Sequence, residues 1–325
     1  MKQSQFETRH RPSWDAFAAQ LAEAQRRQGL GAGSESFGPA YRRVCTHLAL
    51  ARARNYSTPL VDHLQHLALR GHQQLYRRQP RAAARVAHFL LAGFPRQVRA
   101  SGRFVLLAAA VLFGTLALVA GLVYLYPELV YNLLPAAKVS AAEYMYDPSQ
   151  SHLGRAANRE ASTDWAMFGF YVMNNIGIAF QTFASGLLLG LGSLFYLFYN
   201  GLQIGAVAGH LSQSAASVPF WSFVIGHGAF ELTAIALAGG AGLQLGWALI
   251  APGRLSRGQA LRQAARAALN LVYGLALFLL LAAFLEAYWS SKGSITPLVK
   301  FSVGGLLWAG VLAYLLLAGR RAGEA

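Results

Sequence analysis

From Phe104 onward the chain is a succession of long apolar runs. Before it, apolar residues recur singly among charges at helical spacing. A bilayer core about 30 Å thick needs about 20 apolar residues per helix. The runs at 104–126, 165–183, 187–211, 267–289 and 298–317 have that length. A sixth, 220–250, is too long for one perpendicular span; it must tilt, or break at Ala238-Gly239-Gly240-Ala241-Gly242. The pattern predicts six spans within 100–325, with a long loop at 127–164. Positions 1–11 are polar and no apolar run follows them, so 104–126 reads as a retained first span.

Residues 1–99 read as a separate helical domain. Trp14, Phe17, Ala18 and Leu21 share one helix face, as do Tyr41, Val44, Cys45, Leu48 and Ala49, and then Leu60, Leu64, Leu67 and Leu75. The glycine-rich stretch 29–38 predicts a loop. Ser57-Thr58-Pro59 predicts a helix start. The segment 81–93 alternates basic and apolar residues. It fits a helix lying in the headgroup plane as well as one packed in a small bundle.

Composition agrees with a membrane protein: 55% of residues are hydrophobic and 13% charged, against about 25% charged in soluble domains. The net charge is +15, and 1–103 carries most of it. Cytoplasmic loops are the basic ones. The 127–164 loop has three basic and five acidic residues and is placed outside. The 252–266 loop, with four arginines and no acid, is placed inside, together with Arg320 and Arg321. Both termini are then cytoplasmic. The basic charge is accounted for by topology and anionic lipid, so no nucleic-acid partner is predicted. A single cysteine, Cys45, rules out an intrachain disulfide framework.

Polar residues inside the spans are the place to look for function. At 1.5 Å per residue, Asn174, Asn200, Gln203, His227 and Glu231 lie about 12 to 18 Å from the outer ends of three consecutive spans, with Asn175 beside them. His227 and Glu231 are four apart and share a face. Three uses compete: an interhelical hydrogen-bond tie, a proton or ion path, and catalysis or metal binding. A continuous cavity reaching the layer marks a path, mutually satisfied side chains mark a tie, and a third ligand beside His227 and Glu231 marks a metal. The tie is the leading reading, and no third ligand is evident. No catalytic residue, metal or cofactor is therefore predicted. Glu286 falls at the outer end of the fifth span, beside Tyr288 and Trp289, which fit an interfacial belt. His63, His66 and His72 match no strong ligand spacing.

Gly201, Gly205 and Gly209 stand four apart and permit close helix approach. Packing within one subunit is the leading reading, and a homodimer interface is the alternative.

The run Met167-Phe168-Gly169-Phe170-Tyr171-Val172-Met173-Asn174-Asn175-Ile176 is distinctive. So are Asn200-Gly201 with Gly205, and Gly226-His227-Gly228 followed by Phe230-Glu231-Leu232. Together these resemble the stage II sporulation protein M family of integral membrane proteins, over 104–319. The resemblance implies a polytopic plasma-membrane protein. In sporulating bacteria it implies a scaffold recruiting peptidoglycan-degrading enzymes to a remodelling septum. The family also occurs in bacteria that never sporulate, so sporulation is not carried over. The basic N-terminal domain is an addition to the family core. No established catalytic role comes with Asn174, Asn175, His227 or Glu231. The expectation is an all-α inner-membrane scaffold for cell-envelope machinery, not an enzyme. Its partners would be lipids and envelope or cytoplasmic proteins. The alternative is a transporter or channel using the Asn/His/Glu layer.

Overall fold

The computed structural model describes residues 1–26, 36–75, 82–150, 152–155 and 161–320. It divides into two units, Met1–Arg85 and Val86–Ala325. The predicted loop at 29–38 lies outside the described residues up to position 35.

The first unit holds three helices, α1 (Gln3–Arg26), α2 (Phe37–Ala53) and α3 (Thr58–Leu75). Their apolar stripes meet in one core. Phe6, Trp14, Phe17 and Leu21 of α1 pack with Phe37 and Val44 of α2 and Leu60, Leu64 and Leu67 of α3. Gln74 Nε2 donates to the Ala24 carbonyl at 3.0 Å and ties the far end of α3 to α1. Trp14 Nε1 donates to His47 Nδ1 at 3.0 Å beneath an aromatic cluster that includes Phe6 and His10. Of the predicted face positions, Ala49 and Leu75 are exposed, Leu75 because it stands in the last turn of α3.

The unit boundary falls within α4 (Ala82–His88), which continues through a π-turn at Phe89–Gly93 into α5 (Phe94–Ala100). The segment 81–93, which fits a headgroup-plane helix and a packed one equally in sequence, is in part packed: Ala92 is buried, and the Tyr314 hydroxyl donates to the Leu90 carbonyl. Just after it, Phe94 fits against Gly274, where a Cβ would meet its ring at 2.0 Å. Leu91 remains 69% exposed. Then follow α6 (Gly102–Leu125), α7 (Leu129–Leu133), α8 (Ala136–Met145), α9 (Ala161–Ala184), α10 (Leu191–Leu211), α11 (Ser217–Ile250), α12 (Arg257–Leu285) and α13 (Pro297–Leu317). No strand occurs among the described residues; His152 and Lys292 form one isolated bridge.

Among the described residues, four helices are long and apolar enough to cross a membrane: α6, α11, α12 with the π-turn that extends it to Ser290, and α13. Six spans were expected. The other two, α9 and α10, have 24 and 21 residues but carry Asn174, Asn175, Gln181, Asn200 and Gln203, which dilute their hydropathy. The chain is a multi-pass, all-α membrane protein.

At the centre stands α11, packed against α6, α9, α10, α12 and α13. It runs unbroken for 34 residues through the Ala/Gly run. The break weighed at 238–242 does not occur, because those glycines are contact surfaces. A Cβ on Gly239 would meet Leu197 at 2.7 Å, and one on Gly242 would meet the Phe183 carbonyl oxygen at 2.7 Å. At 1.5 Å per residue the helix is about 51 Å long, longer than the hydrocarbon core is thick.

Between α6 and α9, the predicted outer loop folds into a cap. Val130 of α7, Leu134 just after it and Val139 of α8 bury against Val119 and Val123 of α6 and Ala206 of α10. Glu143 Oε1 meets His210 Nε2 at 2.8 Å, and Lys138 Nζ donates to Gln203 Oε1. Leu153 N donates to the Ser291 carbonyl at 2.9 Å and closes the cap onto the far side of the bundle.

Candidate functional site

The Asn174–Glu231 layer is assembled by α9, α10 and α11. Helix α10 is held close to α6 by a glycine seam. Gly201, Gly205 and Gly209 face the carbonyls of Leu112, Leu116 and Ala120, where added Cβ atoms would stand 2.7, 2.6 and 2.5 Å away. This seam lies within the chain, so the three glycines are occupied by α6. It turns the opposite edge of α10, with Asn200 and Gln203, toward α11.

All six predicted polar residues line two neighbouring cavities. The larger, about 420 Å³, takes Asn200 and Gln203 from α10 and His227 and Glu231 from α11. The smaller, about 270 Å³, takes Asn174 and Asn175 from α9 and shares Glu231 with the first. Tyr146 and Arg155 of the cap line both, as does Glu286. The larger cavity reaches Ile178 and Ile235 toward the α9–α10 turn. Both residues belong to an apolar cluster with Leu197, Leu194 and Ala108. Gln181, about one turn of α9 nearer that turn than Ile178, also lines the cavity, so its polar lining is not confined to the cap side.

Hydrogen bonding divides the six. Asn174 Nδ2 donates to Asn175 Oδ1 at 2.9 Å, and Asn200 Nδ2 donates back to the Tyr196 carbonyl at 2.7 Å. Gln203 accepts from Lys138. Asn175 is 3% exposed, and its Nδ2 has no partner among the described residues.

His227 is 5% exposed. Its Nε2 lies 3.9 Å from Glu231 Oε2, and its Nδ1 lies 3.2 Å from Ser290 Oγ. The Ser290 carbonyl accepts a 2.7 Å hydrogen bond from Lys300 Nζ, and Lys300 is 1% exposed. Tyr146, at the end of α8, has its hydroxyl pushed above the usual phenol range by burial first and then by the Glu286 carboxylate. It therefore remains a hydrogen-bond donor at physiological pH.

Sequence reasoning missed Glu286. It reads as a residue at headgroup level, yet it turns inward. One donor atom each from His227, Glu231 and Glu286 lie within 4.8 Å of one another. Glu286 stands four residues after Ala282 and continues the buried face of α12 formed by Leu271, Leu275, Phe278 and Ala282; the π-turn Glu286–Ser290 begins at it. Trp289, read as part of an interfacial belt, packs over Gly226, where a Cβ would meet its ring at 2.6 Å. The first glycine of Gly226-His227-Gly228 thus makes room for the same turn. Lys300, Arg155 and Tyr146 carried no sequence signal, since each joins the layer from a distant element.

Of the other intramembrane polar residues, Gln181 lines the larger cavity, and His210 and Gln244 are ties. His210 pairs with Glu143, and Gln244 Oε1 accepts from Ser101 Oγ at 3.0 Å. Among the described histidines of the first unit, His72 Nδ1 lies 3.3 Å from the Tyr41 hydroxyl, and none forms a cluster of potential metal ligands.

Residues 103–291 match the family described as Stage II sporulation protein M, and residues 4–77 match a domain of unknown function (DUF8413). No curated protein and no solved structure matches the chain.

Proposed function

The chain belongs to the stage II sporulation protein M family, and on that footing we propose that it is a non-enzymatic assembly factor of the bacterial inner membrane serving cell-envelope remodelling machinery. Both termini are then cytoplasmic and the α7–α8 cap faces the periplasm. The observation that supports this reading is the cap itself. A connection 35 residues long between α6 and α9 is, where described, a folded platform tied at Gln203, His210 and Ser291. Its outer face carries the exposed Tyr131 and Tyr144. Exposed aromatics on a preorganised surface suit protein contacts. The N-terminal unit offers a second, cytoplasmic surface.

Photocrosslinkers at Tyr131 and Tyr144, with Leu106 on the lipid-facing side of α6 as control, test it in native membranes. Envelope proteins captured from the two cap positions and not from Leu106 support the assembly role. Capture of nothing specific from the cap overturns it.

The cavity of about 420 Å³ at the polar layer favours a second reading, in which the protein binds or moves a small polar solute. Ile178 and Ile235 are the apolar part of its lining toward the turn, and Gln181 extends the polar part in the same direction. Solute flux in proteoliposomes carrying the wild-type chain, absent from empty vesicles, would promote this reading over the first.

A further inference from the structure

We propose that His227, Glu231 and Glu286 form a binding site for a divalent transition-metal ion of the zinc class. Three observations converge on it. The first is the donor set: one imidazole and two carboxylates, with one atom from each inside 4.8 Å. On tetrahedral zinc these donors bind at about 2.0–2.2 Å, which puts ligand atoms about 3.3 Å apart. The 3.9 Å between His227 Nε2 and Glu231 Oε2 closes to that value with small side-chain rotations.

The second is the shell behind the histidine. A metal-bound imidazole uses one ring nitrogen for the metal and donates from the other to a fixed acceptor. His227 presents Nε2 to the carboxylates and Nδ1 to Ser290 Oγ. Ser290 is itself fully buried and anchored through its carbonyl by Lys300. The π-turn that begins at Glu286 thus also supplies the imidazole's second contact, Ser290.

The third is Asn175. Its side chain is buried, its Nδ2 lacks a partner among the described residues, and it lines the cavity that Glu231 and Glu286 also line. A buried amide donor without an acceptor is costly. A water or anionic group on the metal's fourth position supplies that acceptor. Three protein ligands leave the fourth position to a water or a small ligand from the cavity, whereas a structural site has four protein ligands.

The test uses the full chain carrying a histidine-free tag, purified in detergent and stripped with chelator. Zinc is then restored and the excess removed. One zinc per chain is expected by elemental analysis, and cobalt in its place should give the visible absorption of a four- or five-coordinate ion. Glu231→Gln and Glu286→Gln, which keep side-chain volume, should each weaken zinc binding at least tenfold. Ser290→Ala should weaken it about tenfold, as loss of such an outer contact does. His63→Ala, in the first unit, should leave it unchanged. Zinc retained equally by the wild type and the Glu231→Gln/Glu286→Gln chain would mean adventitious surface binding and overturn the site. If the variants do not fold, the wild type decides alone: substoichiometric zinc and no cobalt absorption overturn the proposal. Neither result bears on partner capture by the cap, so the assembly reading stands or falls separately.

Discussion

At Gly205 the nearest obstacle to a side chain is the Leu116 carbonyl oxygen, 2.6 Å from where a Cβ would sit. A backbone atom of a packed helix cannot step aside as the end of a flexible side chain can. Gly205→Leu should therefore cost about 1–3 kcal/mol, the usual penalty for overpacking, read as earlier unfolding in detergent. Gly114, on α6 with nothing within 4 Å, is the contrast. Gly114→Ala should be neutral, or stabilising by up to about 1 kcal/mol, through helix propensity alone. Equal effects at the two sites would remove the α6–α10 seam as the reason for the glycine spacing. His47 supports a second residue-scale prediction. Burial first, then His10 and Arg43, hold its imidazole below the ordinary value of 6.5. Its Nδ1 also accepts from Trp14, which needs that nitrogen unprotonated. Below pH 6.5 the unfolded chain takes up a proton that the folded one resists, so stability is full above that pH and falls on acidification. Amide exchange across α1 and α2, corrected for intrinsic rates, should quicken from pH 7.5 to 5.5. His47→Gln should flatten that dependence.

Among the elements, α13 shows how a basic residue can serve something other than topology. Arg99 donates from both terminal nitrogens to the carbonyls of Leu315 and Ala318, at 2.7 Å each, and Arg96 Nε donates to the Gly319 carbonyl at 2.7 Å. A helix leaves its last carbonyls unpaired, and cations there also meet the negative end of its dipole. Arg99→Gln should cost about 1.5–3 kcal/mol, the range for hydrogen bonds from charged groups. Hydrogen exchange should rise in the last turn of α13 while α11 keeps its protection; equal loosening of both would mean general destabilisation. Nothing in the sequence pairs Arg99 with a helix that ends more than 200 positions later. Glu286 differs, because its spacing of four from Ala282 on the buried face of α12 is local, and the aromatics beside it drew the reading outward. Periodicity located the fifth span and the His227/Glu231 face correctly, because both are local to one helix. It could not foresee a π-turn, which depends on how Trp289 meets Gly226 across the interface. The layer was legible because depth follows from counting along each helix. Its closure by Tyr146 and Arg155 was not, because the cap's path over the bundle is a tertiary fact.

For the whole molecule the open question is whether α9 and α10 cross the bilayer. They form an antiparallel pair, so the sidedness of every other segment is the same whether both cross or neither does. Charge counts in the flanking loops therefore cannot decide it, and composition alone leaves the pair out of the apolar set. Packing against α11 does bear on it. The turn between them lodges on Gly242 and Gly246, eight and four residues before the end of α11 at Ile250. At 1.5 Å per residue that places the turn about 6–12 Å short of the helix end. The other end of the pair reaches the level of the cap, where His210 of α10 meets Glu143. The pair therefore runs most of the length of the longest helix in the bundle, and a shallow re-entrant hairpin would not. Single cysteines in a Cys45→Ser background make this measurable with a membrane-impermeant maleimide. Tyr144→Cys on the cap should label in spheroplasts, and Leu255→Cys between α11 and α12 only after permeabilisation. Leu188→Cys at the tip of the turn is 68% exposed and decides the matter. Labelling only from the cytoplasmic side gives six spans. Labelling in intact spheroplasts would make the pair re-entrant and the cavity a vestibule of the outer face.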